Sequence, residues 1–216
     1  MGKKKAEVKE EPEAAAIDSD PFRLAAFGII DLLKKYFGEN MEEINQTDKL
    51  GCTALVWACR NGHLSVAEYL VDCGADIEHS SYGGMRPIHH ACNAVHENLV
   101  SLLLDRGANP NATDEMGNTS LHWACARGVL NLVIMLIDKG ADVNATNDHT
   151  CTPLHKATIY GHFAVVKKLI HYGADLEATD KEGNTALHVA ARTGFNQICA
   201  HLVANEASAK KANNAG

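Results

Sequence analysis

Between Gly117 and Gly128 the chain reads GNTSLHWACARG, which sets a histidine, a tryptophan and a cysteine within four residues. His122 and Cys125 are the residue types of a thiol nucleophile and its general base, a pairing that catalyses acyl transfer when the two reach hydrogen-bond distance. A second stretch, HHACNAVH from His89 to His96, holds three histidines and a cysteine, the donor types that bind structural zinc. Either chemistry requires that these residues be free of duties elsewhere.

Neither stretch stands alone. GCTALVWACRNG from Gly51, GMRPIHHACNAV from Gly84, TCTPLHKATIYG from Thr150 and GNTALHVAARTG from Gly183 recur with the first stretch at steps of 33 residues. His89, His122, His155 and His188 therefore share one repeat position. An enzyme needs one base, whereas this chain offers equivalents about 10 Å apart, the spacing of packed helices. Cys59, Cys92 and Cys125 share another position, completed by Thr158 and Ala191, so a small residue is required there and the thiols are expected to be buried and inert. The periodicity favours scaffold over catalysis.

The elements that position these residues follow from the unit. Repeats at 48–80, 81–113, 114–146, 147–179 and 180–205 each open with a polar, often glycine-bearing turn. Thr53, Thr119, Thr152 and Thr185 stand where an N-cap hydroxyl accepts a backbone N–H, and Pro87 and Pro153 stand at the first helical position. A helix of about eight residues then ends at Gly62, Gly128, Gly161 or Gly194, and a second amphipathic helix stops at Gly74, Gly107, Gly140 or Gly173. Stacked units share one quasi-one-dimensional core, so the 216 residues are expected to form a single elongated all-α domain.

Composition narrows the function classes. A net charge of -7 with no basic stripe disfavours nucleic acid. No apolar run reaches the length of about 18 residues that suggests membrane insertion. The opening MGKKKAEVKEEPEAAA lacks the apolar core of a signal peptide, and residues 1–17 are expected to be a charged, disordered tail. Seven cysteines, an odd number, without a secretory signal point to free thiols in the cytosol or nucleus. Cys52 and Cys151 fall in turns, are expected at the surface, and lie on the order of 30 Å apart at helix-packing spacing.

The pattern D-x-x-G-x-T-P-L-H-x-A, continuing to G-A-D-V-N at a 33-residue period, resembles the ankyrin repeat. The resemblance implies an ankyrin repeat solenoid of helix-turn-helix units joined by β-turn or hairpin loops, with five clear repeats. Residues 18–47, of which Pro21 to Asn45 align without gaps to PIHHACNAVHENLVSLLLDRGANPN, look like a divergent N-terminal capping repeat, and 206–216 like the start of a truncated further repeat. In the family this histidine orders neighbouring turns. On that fold His89 serves the turns, Cys92 points to the core and His96 begins a second helix, so no metal or cofactor is expected.

What the resemblance leaves for function is recognition of a protein partner by a concave face of turn tips and first helices. The second, third and fifth positions of each repeat, and the two before the mid-repeat glycine, carry no demand from the fold. Among them Leu50, Arg60, Tyr82, Met85, Glu115, Met116, Arg127, Asp148, His149, Ile159, Tyr160 and Arg192 form the candidate strip, rich in the aromatic, methionine and arginine side chains of interface centres. Trp57 and Trp123 are expected to pack between helices. In the second repeat Arg86 replaces the capping threonine and Val95 the glycine, and since valine resists positive φ the loop there is expected to take another path. The alternative is the recognition arm of a larger enzyme, such as a protein acyltransferase or kinase. An uncovered last repeat, with Phe195, Leu202 and Val203, leaves a monomer or weak self-association.

Overall fold

The computed structural model describes residues 20–215. The expected tail at 1–17 lies outside them. Among the described residues twelve α-helices form six successive pairs: α1 Pro21–Phe27 and α2 Ile30–Glu39, α3 Ala54–Asn61 and α4 Leu64–Asp72, α5 Pro87–Ala94 and α6 Glu97–Asp105, α7 Ser120–Arg127 and α8 Leu130–Asp138, α9 Pro153–Ile159 and α10 Phe163–His171, α11 Ala186–Thr193 and α12 Asn196–Ala204. Among the described residues a single isolated bridge, Thr113 to Thr119, is the only β-type pairing. The all-α repeat architecture is as the periodicity requires.

The 33-residue unit buries one aliphatic pair per second helix. Val66 with Leu70, Leu99 with Leu103, Leu132 with Leu136, Val165 with Leu169 and Ile198 with Leu202 are all withdrawn from solvent into one continuous core. Each such side chain contributes about 1.5–3 kcal/mol relative to exposure. Leu202 is thus fully buried, contrary to the expectation of an uncovered end, because this position faces the interior of its own helix pair. Val203, one residue on, is half exposed, and Phe195 is partly buried.

First helices pack more closely on one another than second helices do. The reason is the run of small contact residues Ala58, Cys59, Ala91, Cys92, Ala124, Cys125, Ala157 and Thr158, all buried, which lets the backbones approach. Closer spacing on the first-helix side curves the stack toward that side. Burial also holds the core thiols in their neutral form, with Cys92 pushed up to about 12 and Cys59 and Cys125 higher.

Between repeats, a polar ladder runs at the start of each turn segment. Asn45, Glu78, Asn111, Asn144 and Glu177 accept the backbone N–H of Asp76, Asn109, Asp142, Asp175 and Ser208 respectively, at 2.7–2.8 Å. The last residue of the G-A-D-V-N signature is therefore an inter-repeat acceptor. In the opening pair, Gly28 takes the left-handed cap at φ 72, one residue ahead of where gapless alignment with Val95 puts it. Helix α1 is correspondingly shorter and α2 longer than in the next repeat.

The second repeat corrects one expectation. Val95 adopts φ 65 and ψ 40, so the loop follows the same left-handed path as the glycine-bearing repeats. Its N–H donates to Cys92 O at 3.2 Å and the N–H of His96 to Ala91 O at 2.9 Å. Those bonds, together with the packing of α6, impose the conformation despite a cost of about 1–2 kcal/mol for an L-residue.

Candidate functional site

Three of the four repeat-position histidines, His89, His122 and His155, have both ring nitrogens employed, and His188 has Nδ1 employed. In the third repeat Nδ1 of His122 accepts the N–H of Thr119 at 3.1 Å and faces its hydroxyl at 2.9 Å, while Nε2 lies 2.9 Å from Cys151 O in the next turn. Since Nδ1 accepts and a carbonyl cannot donate, the proton sits on Nε2 and the ring is neutral. His155 repeats the arrangement with Thr152 and Asn184 O. Burial lowers the pKa of His89, His122 and His155, and brings His122 to about 4. Neither nitrogen of these rings is available as a base, and the buried Cys125 thiol is no nucleophile.

The three histidines of HHACNAVH diverge. His89 Nε2 meets Ala112 O at 2.9 Å, His90 Nε2 meets Ser81 Oγ at 2.9 Å, and His96 packs against the backbone of Gly62. Arg86 offers no acceptor, so the cap hydroxyl is missing there and His89 Nδ1 alone receives the Arg86 N–H at 3.1 Å. The Arg86 guanidinium instead donates to Thr113 O at 2.8 Å and faces Glu78 at 3.0 Å.

Turn tips are bonded in sequence. Glu115 N donates to Gly83 O, Asp148 N to Met116 O, Lys181 N to His149 O and Asn214 N to Glu182 O, at 3.0–3.1 Å. In the first three clear repeats a brace ties the tip to its own first helix. Trp57 Nε1 donates to Asp48 at 2.9 Å and Trp123 Nε1 to Asp114 at 3.1 Å, whereas in the second repeat a histidine and serine, His90 and Ser81, take the two places. The tryptophans are partly buried against the core, as expected, yet the edge of Trp123 also lines a surface cavity of about 380 Å³ with Ala126, Arg127, Tyr160 and His162.

The candidate strip sits on these tips and first-helix ends. Tyr82, Tyr160, Leu50 and Met116 are 75%, 57%, 53% and 52% exposed, and Ile159 is 37%. Arg60, Glu115, Arg127, Asp148, His149 and Arg192 are exposed, while Met85 is half-buried. The fifth repeat position proves not to be free. Cys52, Asn118 and Asn184 there are buried, so Cys52 is not the surface thiol expected, and Cys151 is half-buried. The cause is cross-turn bonding: Asn147 Nδ2 donates to Asn118 Oδ1 at 2.8 Å and Asn213 Nδ2 to Asn184 Oδ1 at 2.7 Å.

Sequence reading left Phe27 and Lys156 out of this surface, while Asn93 was among its free positions. Phe27, 62% exposed, ends α1 just before Gly28, the position that Tyr160 holds before Gly161. The same rule applied to the opening repeat finds it. Asn93 holds Arg127, whose Nε donates to Asn93 Oδ1 at 3.0 Å across adjacent repeats. Lys156 shares the repeat position of Trp57 and Trp123, one helical turn before the strip.

Comparison with known proteins agrees with this architecture. A family model described as ankyrin repeats matches in three copies, over residues 22–114, 94–180 and 121–215. BCL-6 corepressor-like protein 1 from Homo sapiens is 34% identical over 67 residues, 31% of this chain and 4% of that protein. Palmitoyltransferase akr1 from Emericella nidulans is 31% identical over 61 residues, 28% of this chain and 8% of that protein. The likeness thus spans less than a tenth of either relative. With the family model covering nearly all described residues, the chain belongs to the ankyrin repeat family, whose repeats generally serve as protein-interaction modules and whose fold is typically non-enzymatic.

Proposed function

We propose that this chain binds a protein partner through the curved face made by its turn tips and first helices. The observation that carries the reading is the placement of its large exposed apolar side chains. Phe27, Leu50, Tyr82, Val95, Met116, Ile159 and Tyr160 stand on tips or at first-helix ends, and two others, Met41 and Val203, lie elsewhere. Single exposed apolar residues are ordinary on any surface, but a row of them on one face marks an interaction site. Free thiols along the chain fit a reducing compartment, cytosol or nucleus. The likeness to a palmitoyltransferase is too short to favour an enzyme's recognition arm.

The test is a quantitative pull-down comparing the chain with a Tyr82→Ala, Met116→Ala, Arg127→Ala, Tyr160→Ala variant whose thermal melt matches the parent. Partners should be lost in the variant. Retention of the same partners would move the binding site off this face.

A further inference from the structure

Charge is segregated across the solenoid in a way that the fold does not demand. The chain is acidic overall, with 27 Asp and Glu against 20 Lys and Arg. Yet the first helices of the five clear repeats, α3, α5, α7, α9 and α11, contain no Asp or Glu and carry Arg60, Arg127, Lys156 and Arg192. The second helices of the first three clear repeats hold the acids Glu68, Asp72, Glu97, Asp105 and Asp138, while α10 carries Lys167 and Lys168 and α12 no Asp, Glu, Lys or Arg. The ion pairs among the described residues join second-helix ends, Arg106 with Asp72 and Lys139 with Asp105, or turn segments and a helix cap, Arg86 with Glu78 and Lys211 with Glu177. The four first-helix cations have no carboxylate partner among the described residues.

Two of them are held in place. The Arg60 guanidinium lies over the Trp57 ring, 5.2 Å from its centroid, and Arg127 is oriented by Asn93 beside the cavity walled by Trp123 and Tyr160. A guanidinium fixed by its face or by Nε keeps further N–H donors, the fork that pairs with a carboxylate. We propose, building on the partner-binding reading above, that the occupant of this face is an extended acidic peptide segment carrying bulky apolar residues between its carboxylates.

Spacing makes the occupant more specific. Arg60, Arg127 and Arg192 stand two repeats apart, about 20 Å at the spacing of packed helices. An extended chain rises about 3.3 Å per residue, so carboxylates about six residues apart meet successive arginines. Between Arg127 and Arg192 the intervening residues then lie over Ile159 and Tyr160, which stand at the same first-helix ends, with the tips Tyr82 and Met116 at the other side of the face. Nucleic acid fits less well, because the exposed Glu115, Asp148 and Glu182 rim the groove and repel a continuous polyanion.

The experiment is selection of random peptides of about 16 residues, long enough to span the arginines, displayed on phage against the full chain. Affinities of the winners are then measured on the parent, on an Arg60→Glu, Arg127→Glu, Arg192→Glu variant, on its glutamine counterpart, and on Tyr82→Ala, Met116→Ala. Acidic, apolar-spaced winners that lose about tenfold or more on charge reversal, less on neutralisation, and that weaken as salt rises, support the proposal. Neutral or basic winners lost on Tyr82→Ala, Met116→Ala overturn the acidic occupant and leave the face as the binding site. Winners indifferent to both sets, or no winners, overturn both readings. A thymidine oligonucleotide that competes as well as the winners also overturns the peptide assignment.

Discussion

The second and third repeats reach the same geometry with different residues. The third uses Thr119 at the cap, the Trp123 to Asp114 brace and Gly128 in the left-handed loop; the second uses Arg86, the His90 to Ser81 brace and Val95. Yet φ at the loop residue is 73 in one and 65 in the other. The difference teaches that the capping bonds and the packing of the helix that follows impose the loop conformation, so a residue's own preference sets only its cost. It also exposes a compensation. A Cβ on Gly28, Gly62, Gly128 or Gly161 would come within 2.4–2.7 Å of a ring in the following repeat, His63, His96, His162 or Phe195. Opposite Val95 the equivalent residue is Val129, which has no ring.

The hardest test of that comparison is to place valine in the third repeat. Gly128→Val sets a Cβ 2.4 Å from the His162 ring, which itself reaches Ala126 O at 3.0 Å, and adds left-handed strain. Overpacking and strain together should cost more than about 3 kcal/mol, read as a lowered urea midpoint. An unchanged midpoint would show that the ring moves aside freely.

Acid tests what both repeats share. His89 and His122 have folded pKa values lowered by burial from 6.5, so the unfolded chain binds protons more readily as pH falls below that value. Stability is therefore whole above about pH 6.5 and is lost progressively as pH falls toward 4. His122 alone accounts for on the order of 3 kcal/mol at the conversion of about 1.4 kcal/mol per pH unit. Urea unfolding between neutral pH and pH 5 checks the slope, and a flat profile would contradict the neutral, doubly bonded rings.

The smallest effect is the most diagnostic. Val95→Gly should change stability by less than about 1 kcal/mol, relief of strain being offset by the entropy of the unfolded glycine. Val129→His should cost about 1–3 kcal/mol in the parent chain, where the new ring meets Val95, and little once Val95→Gly has removed that side chain. A double-mutant cycle measures the coupling, and additive effects would remove the compensation argument.

Much of this was legible before any coordinates. The 33-residue step, the Thr and Pro helix starts and the Val66 to Leu70 spacing specify helix pairs, because each is a local preference renewed in every unit. The exposure of Tyr82, Met116 and Tyr160 was legible by subtraction, as positions where the repeat asks for nothing. Less accessible were the burial of Cys52, Asn118 and Asn184, whose surroundings come from the turn of an adjacent repeat, and Phe27, hidden by the divergence of its repeat.

The sequence by itself determined the unit, its period, the buried face of each helix and the employment of the histidines, since these rest on contacts within a repeat or on a motif that recurs. Only the tertiary structure decided the path of Val95, the bonds that withdraw the fifth position from the surface, and which charges pair between repeats while the first-helix cations do not. The first rests on a helix pair packed as a unit, and the other two depend on contacts between residues about one period apart in the chain, which exist only once the units are stacked.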